Sequence, residues 1–103
     1  MFELLGLLGD DRKQIEYGQS VGDKIAIDEL QCMWFDDHYR ADEPEFQTEY
    51  DKEELNALKK FNDFYESIPK TIFGDSLNQL TKEKEWIELT TLAKATLKQM
   101  KKP

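Results

Sequence analysis

The chain has 103 residues, of which 35% are charged and 39% apolar, and its formal net charge is −8 at pH 7. That length suits one domain, and the apolar fraction is enough for a modest core without disulfides or metals. The charge argues against binding nucleic acid or an anionic membrane, since both repel an acidic surface.

The charge is unevenly spread. Residues 1–35 carry seven acids and three bases, residues 36–54 nine acids and two bases, and residues 55–103 six acids and nine bases. The middle block holds most of the excess, and a basic protein is its natural partner. The plainer role of the same charge is to keep the chain in solution. Cys32 is the only cysteine, so no internal disulfide forms and a cytoplasmic location is expected. The apolar stretch Phe2–Leu8 lacks a basic leader and a cleavage site, and no apolar run is long enough to cross a bilayer.

In chain order, Phe2, Leu4, Leu5, Leu7 and Leu8 are spaced for a short helix, with a strand as the alternative. Gly9 is placed to end it, and Asp10 to cap a second short helix over Asp11–Tyr17 that closes at Gly18. Ser20-Val21-Gly22-Asp23 reads as a capping box opening the first main helix, about 21–37. Ala26, Leu30, Met33 and Trp34 share one face of it, and Ile27 widens that face. Lys24, Asp28, Gln31 and Phe35 share the opposite face. Phe35 there is either exposed or covered by another segment, such as the Leu-rich N-terminal turn. Residues 40–50 read as a long connector, pinned by Phe46 and Tyr50, in which Pro44 biases Glu43 away from helix.

Asp51-Lys52-Glu53-Glu54 is a second capping box and opens a helix over about 52–67. Leu55, Leu58, Phe61, Tyr65 and Ile68 form its apolar stripe, and Pro69 stops it. Ile72, Phe73, Leu77 and Leu80 fold inward from a turn region, with a single helical turn at Ser76–Leu80. Thr81 is the expected cap of the third main helix, about 82–101, whose stripe is Trp86, Leu89, Ala93, Leu97 and Met100. Its acids lie early and its lysines late, the order the helix dipole favours. The expected fold is therefore all-α: one compact bundle of three main helices plus one or two short N-terminal ones, in a single domain over 1–103.

The chain carries no recognisable catalytic set. His38 is the only histidine, and any triad or dyad must use it. Cys32 is expected to be a small buried thiol. No second histidine or cysteine pair exists for zinc, and the calcium-loop pattern is missing, so neither a metal nor a cofactor is expected. The five glycines form no phosphate-binding loop.

What stands out is the stretch from Trp34 to Glu54, where aromatics lie beside carboxylates as they do in protein-binding hot spots. Trp34 shares the core face. Phe35, Asp36, Asp37, His38, Tyr39, Asp42, Glu43, Glu45 and Glu49 are the candidate partner-binding residues. Asp36 and Asp37 fall near a helix C-terminus, where negative charge is unfavourable, a weak sign that it serves another purpose. The expected function is an immunity- or antitoxin-type inhibitor that binds a basic bacterial toxin, such as a nuclease, as a monomer or weak homodimer. The alternative is a non-inhibitory accessory or scaffold domain that self-associates or joins a larger assembly. An enzyme using His38 with Asp36 or Asp37 is the third reading.

Overall fold

A computed structural model describes residues 2–100. The protein is all-α, with no strand among the described residues. In chain order the helices are α1 (Phe2–Leu8), α2 (Asp11–Val21), α3 (Asp23–Cys32), α4 (Pro44–Glu49), α5 (Lys52–Ser67), α6 (Leu77–Leu80) and α7 (Lys84–Gln99). A π-helical segment, Met33–His38, continues α3, and a 3-10 turn, Lys70–Ile72, follows α5. The Cα radius of gyration is 13.4 Å. No described helix is long and apolar enough to cross a membrane.

Three packings build the bundle: α7 lies against both α1 and α5, and α2 against α3. Leu5 and Leu8 of α1, Ile27 and Leu30 of α3, Leu58 and Phe61 of α5, and Trp86 and Leu89 of α7 are all fully buried. These are the apolar stripes of the sequence turned inward, and burial of each large side chain contributes roughly 1.5–3 kcal/mol. The opposite side of α5, from Lys52 through Lys59, Lys60 and Asp63 to Glu66, is exposed.

Local capping chemistry sets several boundaries. Asp10 caps α2 by accepting from the backbone N–H groups of Arg12 and Lys13. Asp51 and Glu54 form the reciprocal box at the start of α5, with Asp51 accepting from the Glu54 N–H at 2.8 Å and Glu54 from the Asp51 N–H at 3.0 Å. Such a cap is worth about 1 kcal/mol.

Three expected boundaries move. Helix α2 does not close at Gly18 but runs through Ser20 to Val21, so Ser20-Asp23 is no capping box. The break falls at Gly22, whose φ of +98° is open to glycine and strained for other residues. Asp23, free of the box, accepts from the Leu77 N–H at 3.0 Å and ties α3 to α6. Thr81 ends α6 rather than capping α7; its hydroxyl donates to the Asn78 carbonyl. Helix α7 begins at Lys84 after Glu83, which makes no side-chain cap. The expected end of this helix at residue 101 lies outside the described residues. The 40–50 connector is partly helical, because Pro44 fits the first turn of α4.

Gln14 is buried at the junction of α1, α2 and α7. Its Nε2 donates to the Leu7 and Leu8 carbonyls at 3.1 and 2.9 Å, and its Oε1 accepts from Trp86 Nε1 at 2.8 Å. The contacts answer the Leu8 carbonyl at the C-terminus of α1 and one buried indole N–H, and give the Leu7 carbonyl a second donor beside the Asp10 N–H.

Two stability predictions follow from this packing. Gln14→Leu keeps the volume but strands the indole and the Leu8 carbonyl, so chemical denaturation should register a loss of about 2–4 kcal/mol. Adding Trp86→Phe should recover part of it, and purely additive losses would show that the contact is unimportant. For the glycines, a Cβ at Gly18 would sit 2.4 Å from Leu77 Cδ1 and 2.5 Å from Asp23 Oδ1, whereas one at Gly6 meets nothing within 4 Å. Gly18→Ala should therefore destabilise by about 1–3 kcal/mol, while Gly6→Ala should stabilise by up to about 1 kcal/mol. Equal signs would refute the packing described at Gly18.

Candidate functional site

The acidic stretch begins where α3 changes its winding. From Met33 the helix widens, and the Tyr39 N–H reaches back five residues to the Trp34 carbonyl at 2.8 Å. A π-turn of this kind re-aims the side chains around it. Trp34 stays fully buried, on the core face expected of it, and its Nε1 donates to Asn62 Oδ1 of α5 at 3.0 Å. Asn62 in turn donates to Glu66 at 3.2 Å.

Phe35 is not fully exposed, and a ring of α5 helps to cover it. It is half-buried and rests on the Tyr65 ring, with centroids 4.9 Å apart. Ideal α-helical spacing puts Phe35 opposite the core; the wider turn changes that spacing and brings it onto α5. Tyr65 is itself buried, and burial holds its hydroxyl well above the ordinary tyrosine pKa. Cys32, at the end of α3, is exposed rather than buried.

Beyond the π-turn, rings carry the chain. Tyr39 stacks on Trp34 at 5.2 Å with the planes 7° apart, and Phe46 of α4 meets Tyr39 edge-on at 5.5 Å. Tyr50 packs on Phe46 at 5.0 Å. Trp34 also meets Phe61 of α5 edge-on at 4.7 Å. A continuous run of rings thus joins the acidic segment to the core, each pair adding about 0.5–1.5 kcal/mol beyond its buried area. Phe46 and Tyr50 pin the segment as their spacing suggests. Burial raises the pKa of both Tyr39 and Tyr50.

The acids are set outside this aromatic support. Asp36, Asp37, Asp42, Glu45 and Glu49 are exposed. Arg40 is the only Lys or Arg between residues 36 and 49. It is held locally: Nε pairs with Glu43 Oε1 at 2.6 Å, and a second nitrogen donates to the Asp36 carbonyl at 2.8 Å. The guanidinium covers a carbonyl at the end of the π-turn, which offsets part of the penalty for acids there. Glu43 is therefore committed to Arg40, whose pKa it raises. Among the described residues no group of three or more His, Cys, Asp or Glu is arranged to hold a metal ion.

Two features of the structure are not directly legible in the sequence. Asn62 carries the Trp34 contact, and its position between Leu58 and Tyr65 on the α5 stripe was the available signal. A cleft of about 250 Å³ between α5 and α7, lined by Asn56, Lys60, Leu92 and Thr96 among others, had no signal, because it depends on how two helices pack.

His38 is half-buried, and burial lowers its pKa below the ordinary 6.5, with Asp37 acting in the opposite direction. A base with a lowered folded-state pKa binds fewer protons folded than unfolded near that pH, so stability falls as the pH drops below 6.5. His38→Gln should remove this component. The stability gap between the two proteins should change between pH 7.5 and pH 5.5, with the wild type losing ground on acidification, and an unchanged gap in denaturant titrations would contradict the assignment. Comparison with protein-family models, with curated proteins and with solved structures finds no match to this chain.

Proposed function

We propose that this chain is an acidic protein-binding module that neutralises a basic toxin, such as a nuclease, in the bacterial cytoplasm. The observation that supports the reading is exposed charge on a fixed support. Asp36, Asp37, Asp42, Glu45 and Glu49 face solvent, while Trp34, Tyr39, Phe46 and Tyr50 interlock beneath them. An acidic surface that is already ordered loses little conformational entropy on binding. Nuclease sites gather Lys and Arg to hold phosphate, and complementary charge speeds their capture. The neutralisation is by occupation of the partner's basic surface, and no residue of this chain acts as a catalyst.

Within the segment the roles divide. The five exposed acids make the electrostatic contact. Phe35 and Tyr39, half-buried against α5 and Trp34, supply apolar area at its edge, and His38 lies between them in sequence. Glu43 acts through Arg40 by holding the local backbone.

Capture from native cells with the tagged protein should retrieve a basic partner, and adding the protein should suppress that partner's activity. The triple reversal Asp37→Lys, Asp42→Lys, Glu45→Lys should slow association about 10-fold or more at low salt, with the difference shrinking as salt rises. Association that ignores both the reversals and the salt would refute the reading. Scaffolding by self-association would draw instead on exposed apolar side chains such as Ile25 and Ile87, 53% and 50% exposed. Light scattering at micromolar concentration should find a monomer; a dimer dispersed by Ile25→Lys or Ile87→Lys would favour the scaffold.

A further inference from the structure

No further inference is drawn: the strongest candidate, the exposed Cys32 thiol at the end of α3 taken with the buried, unpartnered hydroxyl of Tyr65 on α5, is a lone cysteine, and nothing in the structure shows what either group would bind.

Discussion

Gln14 is fully buried in a bundle whose other interior contacts are mostly apolar, and three elements meet at its amide. The end of α1 supplies two carbonyls, α7 supplies the Trp86 indole, and α2 carries the glutamine itself. A seven-residue helix such as α1 is too short to persist alone. Its Leu5 and Leu8 need α7 as a partner surface, and the amide fixes where along α7 they settle. Buried amides of this kind select one packing among many, because every shifted register leaves a donor or acceptor without a partner. Asn62 does the same for Trp34 where α3 meets α5. Each of the two tryptophans is therefore buried against a specific amide, and each amide comes from a different helix.

The second of these contacts matters most for the acidic segment. Trp34 is the inner end of the ring sequence that runs through Tyr39 and Phe46 to Tyr50, so the outer rings stack on a side chain whose orientation Asn62 holds. The π-turn is what brings the rings into line. With ordinary α-helical winding Tyr39 would be displaced around the helix, and the parallel stack on Trp34 would be lost. The widened winding also supplies the Phe35 contact with Tyr65, so one local change accounts for both aromatic neighbours of the segment.

Much of the fold was readable from local rules. The capping box at Asp51 and Glu54, the apolar stripe to Ile68 and the stop at Pro69 each rest on nearby residues, and α5 begins and ends as they direct. The stripe of α7 was equally clear. Where residues far apart in sequence intervene, the local reading fails. Ser20 and Asp23 have the spacing of a capping box, but Asp23 is claimed by the Leu77 N–H, 54 residues away, and Gly18 remains helical with Leu77 packed close beside it. Cys32 was expected inside because cysteine usually is, yet its exposure depends on how α3 lies against its neighbours. The acidic segment was legible as composition, and its division into exposed acids, a committed Glu43 and half-buried aromatics was not.

That division bears on why the acids are there at all. Asp36 and Asp37 occupy the C-terminal end of a helical run, and each costs about 0.3–1 kcal/mol in that position. Arg40 offsets part of this through the Asp36 carbonyl, but its exposed pair with Glu43 adds little, since surface ion pairs contribute roughly 0–1 kcal/mol. Three further exposed carboxylates, Asp42, Glu45 and Glu49, share the segment with a single Arg40, so the acids largely repel one another. Stability therefore does not explain the arrangement. The interlocked rings beneath supply the energy that holds mutually repelling charges at fixed positions. A chain needing only solubility could spread the same acids over a flexible loop at lower cost. Fixing them on an aromatic platform is what the proposed meeting with a basic partner would require.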